Sequence, residues 1–585
     1  MLKKIQQDFS YYSHEFKDNY RKGVHRLRTI LASRAQAQAF VSNAGGVAVV
    51  LGYEPETPDK NAQELYALLA ASPYIDDAVQ TFLGSIYEAG AESQDVMYSD
   101  SARCLEILHD PVMARAAGAG TVSAGKWIAT LAGQSCNLYR DMNAVAASDI
   151  AMTAVAASET AMAAVVSNAT ALNAVVTSQV ALNAVAASET AMAAVIGNVT
   201  ALNAVVTSQL AMNAVAASET AMTALIANTA AFNTVVTSHV AMNAVASSYV
   251  AVAAVYESAV AVEAVKANET AWATLTGASS AVMGKAAAKL AGLNPADYAD
   301  MAAIASSSTA MAAIIGNSTA LNAVVASSTA MAAVAASYVA VAAVYGSAVA
   351  VDAVKANETA WATLTGATSA VMGKAVAVLS GLNPDSYADM AAVAASQTAM
   401  AAVAASQTAM AAIIGNSTAL NAVVASSTAM AAIAASQTAM AAIAASQTAM
   451  AAVAASQTAM AAVAASQTAM TAVAASQTAM AAIAASSTAL SAIAASTTAL
   501  DAIYAKKKRM SGASASLSGK FIILQISNDN AFDTSRYGYA TLSDGSKPKW
   551  DSYKDKYAYF KQYKKIATYM KNDTDSDDWI DYFQC

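Results

Sequence analysis

Residues 399–408 read AMAAVAASQT, and this ten-residue unit recurs with few changes as far as residue 478. Counted from its first alanine, each decad has methionine or leucine second, valine or isoleucine fifth, serine or asparagine eighth and, in many copies, threonine tenth. The unit carries no charge and no side chain that does chemistry easily. We therefore predict that the tract is structural.

The spacing of the apolar positions favours a helix. At about 100° per residue, positions one, two, four and five cover a sector of roughly 160°, with position eight as a small polar residue inside it. Positions two, five and eight and position two of the next decad form an apolar row with steps of three, three and four residues, an average of about 3.3. Long helices that keep these rows in contact must therefore wind around each other left-handed. We predict a coiled-coil-like shaft. A β-solenoid with two five-residue rungs per decad is the alternative, although Ala, Met, Gln and Glu are helix formers.

The length of the tract predicts self-association. If unbroken, residues 141–504 would form a helix of about 540 Å at 1.5 Å per residue. One alanine-rich helix cannot bury its own apolar row, so several chains would have to share it. We expect an oligomer, in the form of a homotrimer.

Two inserts, near residues 249–303 and 338–392, are near copies of each other at an offset of 89 residues. Each contains a helix-stop and helix-start pattern, in which glycine ends one helix, asparagine caps the next and proline occupies its first position. The inserts are therefore expected to be knobs, bends or chain reversals between helical rods. The residues of this pattern are Gly292, Asn294 and Pro295 in the first copy and Gly381, Asn383 and Pro384 in the second.

Composition divides the chain into four parts. Residues 1–140 have the mixed composition of a small helical domain, 141–504 are the repeats, 505–520 are expected to be a linker, and 521–585 are rich in Tyr, Lys and Asp with a strand-like KFIILQIS. The fold class is therefore mostly α, with a small C-terminal α+β domain. No apolar run of about 18 residues and no secretory signal are present, so we expect cytoplasmic synthesis without membrane insertion.

The sequence offers little evidence for catalysis or cofactors. The four histidines are scattered, and Asp573, Asp575 and Asp577 resemble the start of a calcium loop whose glycine position holds Asp578. We predict a solvated acidic turn there, and neither metal nor cofactor. The run KKKR at residues 506–509 closes a helix, where cations offset the dipole, so no nucleic acid partner is expected. An enzyme is not expected.

The C-terminal part crowds aromatic residues among lysines and aspartates. Aromatic rings with polar tips give a large contact area at low rotamer cost, which suits recognition. The alternative is that about half of them form the core of a small domain. The candidate recognition residues are Tyr537, Tyr539, Trp550, Tyr553, Tyr557 and Tyr559.

The repeat sequences SETAMAAV, SSTAMAAV and SQVALNAV resemble the decapeptide repeats of bacteriophage tail fibre proteins. The resemblance covers the repeat tract and neither end. It implies a virion appendage of three chains, with one end fixed to phage tail or baseplate proteins and the other presented to a host bacterial surface receptor. We assign attachment to residues 1–140 and recognition to 521–585. A tape-measure or scaffold protein and a bacterial adhesin are the alternatives.

Overall fold

The computed structural model describes residues 16, 20–51, 60–87, 92–512, 515–527, 538–550, 555–572 and 578–585. These residues divide into two compact units, Met1–Val282 and Met283–Cys585. Short helices dominate both units, so the mostly α fold class predicted from the sequence is confirmed.

Each decad forms one short helix that begins at its serine or asparagine. This residue has an extended backbone, and its side chain accepts a hydrogen bond from the backbone N–H three residues later, as Ser436 does from Ala439. That is the geometry of a helix N-cap. Thirteen pairs of successive helices meet at angles of 91–106°. The chain therefore turns sharply at the caps.

The first unit begins with eight short helices and continues with helices of the ten-residue period. The first eight are α1 (Tyr20–Ala32), α2 (Arg34–Val41), α3 (Ala44–Leu51), α4 (Lys60–Ala70), α5 (Ile75–Ile86), α6 (Gln94–Tyr98), α7 (Ser101–His109) and α8 (Pro111–Ala117). The next are α9 (Thr121–Leu131), α10 (Met142–Ala146), α11 (Asp149–Ala157), α12 (Glu159–Val166), α13 (Ala169–Val176), α14 (Gln179–Ala186), α15 (Glu189–Gly197), α16 (Val199–Thr207), α17 (Gln209–Ala217), α18 (Glu219–Ala227), α19 (Thr229–Thr237), α20 (His239–Ser247), α21 (Tyr249–Glu257), α22 (Ala259–Lys266) and α23 (Glu269–Thr276). The division between the units falls inside α24 (Ser280–Leu290).

Three sharp turns bring the chain back over its own path, so each helix packs on its third neighbour. In the first unit α11 packs on α14, α14 on α17 and α17 on α20, and α12 packs on α15 and α15 on α18 in the same way. The result is an α-solenoid with three helices per turn and three columns of stacked helices. Positions one, two and five of most decads, and position six in many, face its interior, as Ala181, Leu182, Val185 and Ala186 do in α14.

The second unit repeats this arrangement. Its helices are α25 (Met301–Ser306), α26 (Ser308–Gly316), α27 (Ser318–Ala326), α28 (Ser328–Ala336), α29 (Tyr338–Tyr345), α30 (Ala348–Lys355), α31 (Glu358–Thr365), α32 (Ser369–Leu379), α33 (Met390–Ala395), α34 (Gln397–Ala405), α35 (Gln407–Gly415), α36 (Ser417–Ala425), α37 (Ser427–Ala435), α38 (Gln437–Ala445), α39 (Gln447–Ala455), α40 (Gln457–Ala465), α41 (Gln467–Ala475), α42 (Gln477–Ala484), α43 (Ser487–Ala495) and α44 (Thr497–Tyr504). Third neighbours pack from α34 on α37 to α41 on α44. In α38 the buried residues are Ala439, Met440, Ile443 and Ala444.

The cap serines also join successive turns of the solenoid. Ser436 Oγ donates to the carbonyl of Ala404, 32 residues earlier, at 2.6 Å, and Ser178 donates to that of Ala146 at 2.5 Å. The first and last turns of a helix leave N–H and C=O groups without partners. Because one hydroxyl can accept and donate at once, each of these serines satisfies a helix start and the helix end on the turn before it.

The second insert continues the solenoid of the second unit and does not reverse the chain, since α29 packs on α32, α32 on α35 and α33 on α36. Gly292 and Gly381 have left-handed backbones, with φ of 73° and 71°. Asn294 and Asn383 cap one-turn 3-10 helices, Pro295–Asp297 and Pro384–Ser386, which begin at proline. This is the local geometry that the sequence pattern indicates.

A third copy of this turn lies at the start of the solenoid, where the sequence prediction placed the N-terminal domain. Gly133 has φ of 72° and precedes the 3-10 helix Cys136–Leu138. In all three copies a helical glycine lies against the backbone of the next cap aspartate, so that an added Cβ would come within 2.4 Å of it. The pairs are Gly125 with Asp141, Gly284 with Asp300, and Gly373 with Asp389.

The chain after α44 forms a six-stranded sheet with neighbouring strands antiparallel. Its strands are β1 (Lys508–Ser511), β2 (Ser516–Ser527), β3 (Gly538–Leu542), β4 (Lys549–Trp550), β5 (Ala567–Lys571) and β6 (Trp579–Gln584), and their order is β1-β6-β2-β5-β3-β4. Helix α45 (Ala558–Tyr563) packs against β2. Phe521, Leu542, Met570 and Ile580 belong to the core of the domain.

Three details of the sequence prediction are wrong. The repeats do not form long continuous helices in a coiled coil, because the chain turns at every cap and buries its apolar row against its own third neighbours. The β-solenoid alternative fails because the decads are helices. Residues 505–520 are not a linker, since β1 pairs with β6 and β2 begins at Ser516.

Among the described residues, no single helix has both the length and the hydropathy of a membrane span. Thirteen pairs of successive helices meet the criteria of length and composition together, each across a sharp bend.

Candidate functional site

The structure separates the predicted recognition tyrosines into different environments. Tyr537 and Tyr553 lie outside the described residues, and Trp550 is described only as part of the backbone of β4. Tyr539 is half-buried, whereas Tyr557 and Tyr559 are 5% and 2% exposed. The six residues therefore do not form one exposed patch.

Tyr539 and Tyr569 form the described aromatic part of the outer sheet face. They lie on β3 and β5, and their ring centroids are 5.8 Å apart. Thr541 is opposite Tyr569 and Lys571 is opposite Tyr539, while the alternate residues of β3, Ala540 and Leu542, face the core. Because side chains alternate along a strand, this face presents Tyr, Thr and Lys side chains away from the core. We call these four residues, Tyr539, Thr541, Tyr569 and Lys571, the tyrosine face.

Tyr557 has a structural role at the junction between the sheet and the solenoid. Its hydroxyl donates to Asp501 Oδ1 of α44 at 2.5 Å, and its ring meets that of Tyr504 edge-on at 5.7 Å. Burial and the contact with Asp501 raise the pKa of Tyr557. Its φ is 68°, in the left-handed region, and its backbone N–H donates to Leu524. Tyr559 belongs to the core of the domain. The alternative that half of the aromatics are core residues describes these two.

Asp581 is the centre of the same junction. Its carboxylate is fully buried and accepts hydrogen bonds from Arg509 Nε at 2.6 Å and from Lys507 Nζ at 2.5 Å. Lys507 also donates to the hydroxyl of Tyr504, the last residue of α44. Burial acts to raise the pKa of Asp581, but the hydrogen bonds and charges of Arg509 and Lys507 outweigh it, and the pKa is lowered.

The basic run at residues 506–509 therefore contributes to internal contacts. Lys508 Nζ donates to Gln584 at 2.7 Å, and the guanidinium of Arg509 lies 3.6 Å from the ring centroid of Trp579. The sequence prediction found the run but missed its partner, because Asp581 follows it by more than 70 residues. The inward position of an aspartate in WIDYFQ was the available signal.

The N-terminal helices dock on the start of the solenoid in a comparable way. Asp76 of α5 accepts a hydrogen bond at 2.9 Å from the backbone N–H of Ser123, in the first turn of α9. Lys126 of α9 pairs with Asp95, and Trp127 Nε1 donates to the carbonyl of Cys104 at 3.1 Å. Burial raises the pKa of Asp76. Folded domains thus cover the solenoid helix α9 in one unit and α44 in the other.

Each insert also carries a Tyr–Trp–Lys cluster that the sequence prediction did not single out. Tyr345 and Trp361 meet edge-on with centroids 6.4 Å apart, and Lys355 lies over Trp361; the first unit has the same arrangement in Tyr256, Trp272 and Lys266. Burial raises the pKa of Tyr345 to about 12, and its buried hydroxyl makes no hydrogen bond in the structure. The repeated string VKANETAW was the sequence signal.

No group of three or more His, Cys, Asp or Glu side chains within the described ranges is arranged to hold a metal ion. Asp573, Asp575 and Asp577 lie outside those ranges, and the backbone carbonyl of Asp578 accepts a hydrogen bond from buried Asn572. The described part of the candidate site therefore consists of hydrogen-bonding and aromatic groups suited to contact.

No protein-family model matches this sequence, and no curated protein is significantly similar to it.

Proposed function

We propose that this protein is a structural component of a bacteriophage tail, with an attachment domain in the N-terminal part of the chain and a domain that contacts the host cell in the C-terminal part. The observation that carries the proposal is the repeat itself. Its sequence resembles tail fibre repeats, and its stacked decads can serve as a spacer. Each decad supplies the same buried rows, so the spacer can lengthen by whole decads without a new core.

The two ends of the described solenoid support a division of labour. Specific contact requires surfaces other than a uniform array of Ala, Ser and Thr, and the two terminal parts are richer in charged residues than the repeats or their inserts. We assign attachment to tail or baseplate proteins to the N-terminal part, and recognition of a host surface receptor to the C-terminal sheet. Virion localisation and the absence of enzymatic activity belong to the same proposal.

The tyrosine face is the described surface best suited to that recognition. Tyrosine rings next to threonine and lysine can contact a polysaccharide or protein surface through both apolar area and hydrogen bonds. The proposed contact residues are therefore Tyr539 and Tyr569. Tyr557 and Tyr559 are excluded from this role, because their burial makes them part of the domain itself.

The proposed homotrimer no longer follows from the apolar row, which is buried within one chain. Three copies are implied by the resemblance alone, and the molecular mass in solution tests them. A scaffold protein would share the repeats but would not bind cells, whereas an adhesin would be found on a bacterial surface and not on virions.

Binding of the labelled full chain to a panel of bacterial cells tests the proposal. We expect binding to at least one strain, and a loss of about a thousandfold in affinity for Tyr539→Ala/Tyr569→Ala, since two anchor residues at about 2 kcal/mol each contribute about 4 kcal/mol together. Lys547→Ala, an exposed change between β3 and β4, is the control and should bind normally. Absence of binding to cells, together with absence of the chain from purified virions, would contradict the proposed function.

A further inference from the structure

One column of the first unit carries an apolar residue once per turn on its outer surface. The four residues are Ile150, Val180, Leu210 and Val240, each at the second position of its helix, in α11, α14, α17 and α20. These helices stack directly on each other. Ile150 is 73% exposed and Leu210 is 37% exposed, while the two valines are half-buried. We call this row the apolar stripe.

The fold does not require apolar residues at these positions. The equivalent residue is threonine or alanine in the other six helices from α12 to α19, namely Thr160, Thr170, Thr190, Thr200, Thr220 and Ala230. Those helices begin at serine or asparagine caps and pack in the same solenoid. Apolar residues are also exposed in another column, where Val199 of α16 is 74% and Val260 of α22 is 62% exposed. Between α11 and α20, however, this column alone has an apolar residue at the second helical position on every turn, so a regular row of exposed apolar surface is available for a contact outside the chain.

The residues next to the stripe have an ordered distribution of charge. The first helical residue in the same column is Asp149, Gln179, Gln209 and His239 in turn, so that only the two ends carry ionisable groups. The two glutamines make the same contact, with Nε2 donating at 2.7 Å to Asn183 and Asn213 respectively. The acidic series Glu159, Glu189 and Glu219 lies in a different column.

We propose that the apolar stripe binds the apolar stripe of a second copy of this chain, with the two columns antiparallel. The stripe residues are spaced by one solenoid turn, so a matching partner should also present apolar residues one solenoid turn apart. A second copy of this chain has this spacing. An antiparallel pair has a two-fold axis between turns two and three, which brings Val180 opposite Leu210 of the partner subunit and Ile150 opposite Val240 of the partner subunit.

Charge favours the antiparallel orientation over the parallel one. The two-fold axis places Asp149 opposite His239 of the partner subunit at both ends of the contact, and an imidazole N–H can donate to a carboxylate. Parallel columns would not bring the two groups together. The acidic column stays outside the contact, so the net charge of −8 does not oppose it there.

The size of the surface sets the expected affinity. Stacked helices are about 10 Å apart, so the stripe from Ile150 to Val240 is about 30 Å long. Such a strip covers several hundred Å² on each chain, which is at the low end for specific complexes. We expect a reversible dimer with a Kd in the micromolar range. The proposed dimer replaces the homotrimer that the resemblance implies, whereas the proposed role in a virion does not depend on it, because the pairing concerns the purified chain.

Sedimentation of the full chain between about 1 and 100 µM tests the pairing. We expect the mass to rise toward twice 59.1 kDa. A quadruple variant in which all four stripe residues are replaced by threonine should remain monomeric with unchanged helical circular dichroism, because threonine is already present at this position in other decads. Its substitutions are Ile150→Thr, Val180→Thr, Leu210→Thr and Val240→Thr. Thr190→Ala/Thr220→Ala, at the same helical position in other columns, is the control and should still dimerise.

A charge exchange tests the orientation. His239→Glu should weaken the dimer by about tenfold, since two like-charged pairs replace two favourable ones, and Asp149→Lys/His239→Glu should restore it to within about threefold. A wild-type monomer or a trimer at 100 µM, a quadruple variant that still dimerises, or a control that dissociates would each overturn the pairing. Failure of the double charge variant to restore the dimer would overturn the antiparallel orientation.

Discussion

The decads at residues 148–247 and those at 396–495, each within its own unit, build solenoids of the same kind from different sequences. In the first region, residue types recur every 30 residues, with asparagine caps at Asn168, Asn198 and Asn228 and glutamate at Glu159, Glu189 and Glu219. In the second region five of the ten decads read SQTAMAAVAA or SQTAMAAIAA and these five occur in all three columns, so the columns present similar surfaces. The core needs a period of ten, whereas a surface with distinct columns needs a period of thirty.

The largest expected effect is a loss of core volume, and it should be equal in the two regions. Met212→Ala and Met440→Ala each remove a fully buried side chain and should lower the local free energy of unfolding by about 2–5 kcal/mol. Hydrogen exchange of peptides from α17 and α38 is the measurement, since stacked repeats open locally. Gln437→Ala, on the exposed surface of α38, should change exchange little. A clear difference between the two methionines would mean that the cores are not equivalent.

The junction at Asp581 should limit opening at the end of the uniform decads. Asp581→Asn removes a buried charge with two cationic partners and should destabilise α44 by about 1–3 kcal/mol, with little effect on α17. Hydrogen exchange of the two helices measures the difference. Lys506→Ala, in the same basic run, is the control.

The junction should also respond to acid. The unfolded chain has an ordinary aspartate pKa near 3.9, and the folded pKa of Asp581 is lower, so the contribution is complete above about pH 5 and is lost as the pH falls through the folded value. Protection of α44 should therefore decline in the wild type as the pH falls below about 4. Asp581→Asn should lack this component of the decline.

The cap serines that bond the previous solenoid turn should contribute equally to the stability of both regions. Ser218→Ala and Ser436→Ala each remove an N-cap acceptor and a donor to the previous turn, for an expected loss of about 1–2 kcal/mol. Replacement by asparagine should recover part of it, because asparagine occupies this position in several decads. Hydrogen exchange provides the measurement. It is followed at the start of α18 and α38, and at the carbonyl partners Ala186 and Ala404 one turn earlier.

The smallest effect on stability is expected from removing a whole decad, and here the two regions should differ in function. Deletion of residues 447–456 or 188–197 preserves the core, so each variant should unfold within about 1 kcal/mol of the wild type, since no buried row is interrupted. Deletion of 188–197 moves Leu210 and Val240 out of the column of Ile150 and Val180, and should abolish the dimer. Deletion of 188–217 removes one full turn together with Leu210 but leaves Ile150, Val180 and Val240 in one column, so it should weaken the dimer without abolishing it. Sedimentation and urea unfolding distinguish the three.

The helices themselves were predictable, whereas the position where each one ends was not. Serine was interpreted as a small polar residue within a continuous helix, since one serine costs a helix interior only about 0.5 kcal/mol relative to alanine. The thirty-residue recurrence at Asn168, Asn198 and Asn228 was the signal for three helices per turn. The third insert turn was also readable, since GKWIATLAG, GKAAAKLAG and GKAVAVLSG align without gaps.

At the candidate site, the sequence predicted that the C-terminal aromatics matter but could not sort them. Tyr539 and Tyr557 have similar neighbours in the sequence, yet one lies on the outer sheet face and the other binds Asp501 at the junction. Strand alternation gives two faces, and a sequence alone does not say which one the solenoid covers.

The sequence by itself determined the helical propensity, the apolar positions of the decad and the helix-stop and helix-start pattern of the inserts, because these depend on interactions within a few residues. Tertiary structure decided what the apolar row contacts. An apolar row is satisfied equally by another chain or by the same chain 30 residues later, and no local interaction distinguishes the two. The serine that caps its own helix while bonding the turn before it favours the second arrangement, and that bond exists only when the turns are stacked.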